Sequence, residues 1–235
     1  MGRVRFPSVQ MFGRVVFSFM AKIFEDYLAA ADAAIVLLES SEVTGCWGEP
    51  SACEGFTVGG LAAHLGWQVQ SARLTVESER PASDAAVTEL AAHYTQAAWI
   101  GASLDSAVNT GIRDTGEQRA QAGPAEVARL TRESRDYLAV EFASLTPDEE
   151  LVALPWIKGR VMTLEDFLTT RLLELVIHTD DLAVSVGVPT PQAPDSAYER
   201  VIALLTQLAV RRHGQLAVLR ALSRAERAPE SISAL

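Results

Sequence analysis

Thiols are scarce in this chain, which carries two cysteines, Cys46 and Cys53, both inside the segment GCWGEPSACEG. Two residues make no disulfide scaffold. A pair at this spacing can close a local disulfide or add to a metal site, but the plainer expectation is two loop thiols. Positive charge is also in short supply, with 20 Lys and Arg against 30 Asp and Glu and a net charge of -10. That balance excludes functions that depend on attracting a phosphate backbone or an anionic lipid surface, so neither nucleic acid nor membrane is an expected partner. No apolar run reaches the roughly 18 residues a spanning helix needs. The opening MGRVRFPSVQMFGRVVFSFM is basic and partly apolar, but Pro7, Gln10 and Arg14 interrupt any signal-like core. Residues 1–20 are expected to form a tail, dispensable if Met20 is the true start, on a chain that resides in the cytoplasm.

What is present is helix. With 49% hydrophobic residues in 235, the chain can bury a sizeable core as one unit over residues 21–227. KIFEDYLAAADAAIVLLES repeats its apolar positions every three to four residues. Thr57 is a fair N-cap for VGGLAAHLGWQVQSARLTVESE, whose glycines imply close approach of a neighbour. Ser83 or Asp84 is expected to cap a third helix, AAVTELAAHYTQAAWIGASLDSAV, and NTGIRDTGEQRAQAG reads as a polar loop. Pro124 then opens AEVARLTRESRDYLAVEFASL. The connector from Thr146 to Thr163, punctuated by Pro155 and Gly159, has the composition of a small hairpin. Thr163 caps a long helix ended by Gly187 and Pro189, and DSAYERVIALLTQLAVRRHG and QLAVLRALSRAE follow it. Residues 228–235 read as a second tail. The expected class is an all-α bundle with short C-terminal helices and a small hairpin.

In RLLELVIHTDDLA, positions i, i+3, i+7 and i+10 place Arg171, Glu174, His178 and Asp181 on one stripe of an otherwise apolar helix. A buried carboxylate needs a cation, a hydrogen-bond network or a metal. An Arg171–Glu174 salt bridge would satisfy it without any function. His64, on the stripe Gly60, His64, Trp67, Gln68 and Ser71 of another helix, offers a second imidazole. Two imidazoles and a carboxylate suffice for Zn2+ or another divalent ion with a coordination position left open. His93 reads as a helix-surface histidine and His213 as compensation of a helix C-terminus, and both are left outside the site.

Through FTVGGLAAHLGWQV, MTLEDFLTTRLLELVIHTDDLA and RRHGQLAVLRALSRAER, the sequence resembles the metal-binding domain of the mycothiol-dependent maleylpyruvate isomerase family, a branch of the DinB-like four-helix-bundle proteins. The resemblance implies that His64, Glu174 and His178 bind zinc. It also implies that mycothiol, a small-molecule thiol, is the cosubstrate, activated as a thiolate that attacks an electrophilic substrate. Arg171 then either neutralises Glu174 or meets a substrate carboxylate, and Asp181 either accepts the outer N–H of His178 or is a solvated charge. Little chain follows the bundle for a further C-terminal domain, so the expectation is metal-dependent thiol transfer in general rather than the isomerase in particular. A non-enzymatic metal-binding or regulatory bundle would use the same three ligands, and a purely structural bundle would use none. The electrophile and the oligomeric state are not legible.

Overall fold

The computed structural model describes residues 22–82, 84–154 and 156–235. The expected N-terminal tail, Ser83 and Pro155 lie outside the described residues. Helix α1 spans Lys22–Leu38 and buries Tyr27, Ala30, Ala34 and Leu38 on its inner face. A one-turn α2, Ser41–Gly45, begins at Ser40, whose hydroxyl accepts the Val43 N–H. Helix α3, Val58–Glu77, is buried along most of its length and starts where the Thr57 hydroxyl accepts the Gly60 N–H at 2.9 Å. Helices α4, Leu90–Thr95, and α5, Ala107–Ala120, precede α6, Pro124–Glu141, which carries proline in its first turn.

Strands β1, Leu151–Ala153, and β2, Val161–Thr163, form the antiparallel hairpin, with Val152 opposite Met162. Thr163 leads directly into α7, Leu164–Val186, its hydroxyl accepting the Asp166 N–H at 3.1 Å. Glu165 and Asp166 sit at the positive end of the helix dipole. Gly187 ends α7 in the left-handed region at φ 71, where a side chain would be strained. Helices α8, Asp195–His213, and α9, Gln215–Ser223, complete the fold.

The protein is an all-α bundle. Helices α1, α6, α3 and α7 form a ring in which each packs on the next, while α5 lies against α3 and α8 against α7 and α1. One hydrophobic cluster fills the ring, with Tyr27, Leu61, Leu65, Phe167, Leu168 and Leu172 at its fully buried centre. Truncating such a leucine to alanine costs about 2–5 kcal/mol.

Three expectations need correction. The third helix does not cover residues 85–108. Thr88 N–H instead donates to Val161 O at 2.7 Å, drawing that segment along β2, and the helix begins only at Leu90, whose N–H is accepted by Asp166 Oδ2. Asp84 therefore caps nothing. The expected loop at 109–123 is largely helix α5, capped by the Ser106 hydroxyl. Gly116 serves packing rather than turning: a Cβ there would sit 2.9 Å from the Gly60 carbonyl oxygen, and one on Gly60 of α3 would run into the Glu117 carboxylate. Lastly, residues 228–235 do not trail away. Arg212 donates to Leu235 O at 2.7 Å, and Ala234 and Leu235 pack against the core.

Candidate metal centre

Glu174 lies midway along α7, flanked by Leu172, Leu173 and Leu175, which are all buried. Its Oε2 is 3.2 Å from His178 Nε2, one turn along the same helix, and 3.4 Å from His64 Nε2, which α3 brings across the ring. The two imidazole rings meet edge to face with centroids 5.0 Å apart. All three side chains are largely covered, at 14% exposure for His64, 16% for Glu174 and 20% for His178. Sequence spacing alone put Glu174 and His178 on one face; the bundle adds His64.

Each of these groups is held from behind. His178 Nδ1 faces Asp181 Oδ2 at 2.9 Å. On α3, the Gln68 amide nitrogen donates to the His64 carbonyl at 2.8 Å and lies 3.2 Å from His64 Nε2. Arg171 donates to Gln68 Oε1 at 2.7 Å, which decides which way the amide points. With the amide N–H directed at Nε2, a neutral His64 carries its own proton on Nδ1 and its Nε2 lone pair accepts from Gln68, a bond that a ligated ion would replace.

The Arg171–Glu174 salt bridge, one of the alternatives the sequence leaves open, is not formed. Among the described residues, no carboxylate lies within ion-pair distance of Arg171, whose side chain bonds Gln68 and Thr170 instead. The Arg171 charge acts on Glu174 only through space.

Electrostatics show that the cluster favours a positive charge. Burial pushes the His64 pKa down, and hydrogen bonding to Glu174 only partly opposes it. Burial works in the same sense on His178, but there Asp181, Cys53 and Glu174 outweigh it and hold the imidazolium well above the ordinary histidine range. For Glu174, burial favours the neutral acid, yet the two histidines win and hold the carboxyl well below its usual range. A proton on His178 Nε2 is thus the cation that Glu174 requires when nothing else supplies one.

The donor chemistry fits a metal. For bonds of about 2.0–2.1 Å, tetrahedral coordination separates ligand atoms by about 3.3–3.4 Å. The two nitrogen–oxygen separations, 3.2 and 3.4 Å, are of that size, and the three ligand atoms lie within 4.8 Å of one another.

These groups open into a cavity of about 540 Å³. Three of the chain's four tryptophans, Trp67, Trp99 and Trp156, line it, together with Phe56 and Arg171. Trp67 is fixed between the Arg119 guanidinium, 3.8 Å above its ring, and the edge of Trp156. Trp67 shares the His64 stripe, whereas Trp99 and Trp156 come from two irregular segments and give no periodic signal in the sequence.

His93 also lines the cavity, which corrects its reading as a surface histidine: α4 packs on α7 and leaves it 9% exposed. His213 stands at the last position of α8, where its Nε2 lies 2.7 Å from Ser233 O. Cys46 and Cys53 are both free thiols, and Cys53 belongs to a cluster with His178 and Asp181.

The family model of the mycothiol maleylpyruvate isomerase N-terminal domain matches residues 28–183. The chain belongs to this family. The matched segment runs from α1 to α7 and includes His64, Glu174 and His178. Neither a curated protein nor a solved structure matches the chain.

Proposed function

We propose that this family member is a divalent-metal-dependent thiol S-transferase or isomerase, with zinc held by His64, Glu174 and His178 and mycothiol as the cosubstrate. The observation that carries the reading is the convergence of two imidazole nitrogens on one buried carboxylate oxygen, at 3.2 and 3.4 Å, beside an open cavity. A dication bound there supplies a Lewis acid that favours the thiolate form of a small thiol.

The chain's own residues supply the rest. Gln68, oriented by Arg171, favours the His64 tautomer that leaves Nε2 unprotonated, and Asp181 does the same for His178 by accepting its Nδ1–H. The rings of Trp67, Trp99 and Trp156 give apolar walls to the space where a thiol and an electrophile would meet. The cavity contains no cysteine among its lining residues, so the nucleophilic sulfur in this reading comes from the cosubstrate.

The test combines metal analysis with thiol turnover. Wild-type chain dialysed against zinc should retain about one ion, and His64→Ala and His178→Ala should each lose most of it. Mycothiol offered with a panel of small electrophiles should be consumed by the wild type alone. Failure to take up zinc would end the proposal, while zinc uptake without mycothiol binding or consumption would leave a metal-binding bundle without this activity.

A further inference from the structure

The geometry points to a second cation site, suited to soft, thiophilic metal ions and built on the opposite nitrogen of the same histidine, with Cys53 Sγ, His178 Nδ1 and Asp181 Oδ2 as its ligands. These three atoms lie within 4.8 Å of one another, and the nitrogen and the carboxylate oxygen are 2.9 Å apart. Sulfur, imidazole nitrogen and carboxylate oxygen form a donor set in which the thiolate selects for soft ions. A thiolate and a carboxylate together balance a dication. All three residues are partly exposed, so an ion has a path from solvent.

The loop that carries Cys53 is anchored to the same helix. Ala52 N–H donates to Ser185 Oγ at 2.8 Å, and that hydroxyl donates to Asp181 O at 2.6 Å. Ser51 fastens the next residue in turn, its hydroxyl donating to Cys53 O at 3.0 Å and accepting Cys53 N–H at 3.2 Å. The thiol is therefore positioned against the turn of α7 that bears Asp181, and little ordering is left to be done when an ion arrives.

The imidazole proton makes the two sites exclusive. With Nδ1–H given to Asp181, Nε2 has a lone pair to offer beside Glu174 and His64. A soft ion on Nδ1 displaces the Nδ1 proton to solvent, and the ring keeps its other proton on Nε2, where Glu174 Oε2 at 3.2 Å accepts the hydrogen bond. The sulfur–metal bond forms as the S–H bond breaks, its proton goes to solvent, and no electron is transferred. Ligation at Cys53 stands independently of the zinc reading; the exclusion rests on it.

Cadmium provides the probe. Cd2+ titrated into zinc-free full-length protein should produce a thiolate-to-cadmium charge-transfer band in the ultraviolet that saturates at one equivalent per chain, with equilibrium dialysis counting the bound ions. The band should persist in Cys46→Ser and in His64→Ala, vanish in Cys53→Ser, and require at least tenfold more cadmium in Asp181→Asn. Helical circular dichroism of each variant establishes that it is folded. No band in the wild type, or a band that survives Cys53→Ser, overturns the site. Loss of the band in His64→Ala overturns it too, because Cys53 would then serve the first site. Zinc should raise the cadmium concentration needed in the wild type, and by less in His64→Ala, where it competes only directly at Cys53. Cadmium binding indifferent to zinc overturns the exclusion, and dialysis showing no bound zinc would assign that failure to the zinc reading rather than to Cys53.

Discussion

At His93, burial and a neighbouring cation act in the same direction. Its Nδ1 lies 3.2 Å from Arg160 Nη1, a guanidinium that can only donate, so the folded protein requires a neutral ring there. Burial, reinforced by the charges of Arg171 and Arg160, pushes its pKa from an ordinary 6.5 down to about 4. In the unfolded chain the ring protonates near 6.5, so the unfolded state binds the proton first as pH falls. The stability contributed by a neutral His93 is complete above about 6.5, declines between 6.5 and about 4, and changes no further below that. Comparing urea unfolding of the wild type and His93→Gln across this window should show the wild type losing stability more steeply. Equal slopes would mean that His93 titrates normally. The sequence concealed this residue because AAHYTQ has the look of an exposed helix face, and only the packing of α4 on α7 covers it.

Helix α5 teaches the corresponding lesson about elements. From Asn109 onward its sequence, NTGIRDTGEQRA, is rich in residues that disfavour helix and reads as a loop. Intrinsic propensity lost to tertiary packing: Gly116 lets α5 approach the start of α3, and Glu117 accepts both the N–H and the hydroxyl of Thr57 at 2.8 and 3.0 Å. The reverse happened at residues 85–108, where an Ala-rich pattern promised a long helix and the edge of β2 captured part of the chain. Helices α1, α3, α6 and α7 were legible because period, caps and terminators agreed, as at Thr163 and Gly187. Replacing Gly116 by alanine tests the packing argument. Its new methyl would lie 2.9 Å from the Gly60 carbonyl oxygen and 2.8 Å from the Phe56 ring, so the helices must separate. Overpacking of this kind costs about 1–3 kcal/mol. A thermal melt should fall by about 2–4 °C for each kcal/mol. An unchanged melting temperature would show that α5 does not depend on the close approach.

At the scale of the whole molecule, the candidate centre joins helices that the sequence separates. His64 arrives on α3, whereas Glu174 and His178 sit on α7, so a shared ion would tie two neighbouring members of the four-helix ring. The three proposed ligands were legible because two share a helix face and the third lies in a segment resembling a known family. The cavity, the Arg171–Gln68 linkage and the approach of Cys53 were not, since each depends on how loops and helices meet in three dimensions. An ion that binds only the folded chain must stabilise it, by about 2.7 kcal/mol when free ion is present at 100 times its dissociation constant. For a chain of this size that corresponds to a rise of roughly 5–11 °C in melting temperature. Zinc should therefore raise the melting temperature of the wild type and a chelator should reverse the rise. His64→Gln should remain folded but show no rise at the same zinc concentration, because its α3 ligand is gone while Glu174 and His178 still pair along α7. A full zinc-dependent rise in His64→Gln would place the stabilising ion elsewhere, and differential scanning calorimetry of the two proteins with and without zinc separates these outcomes.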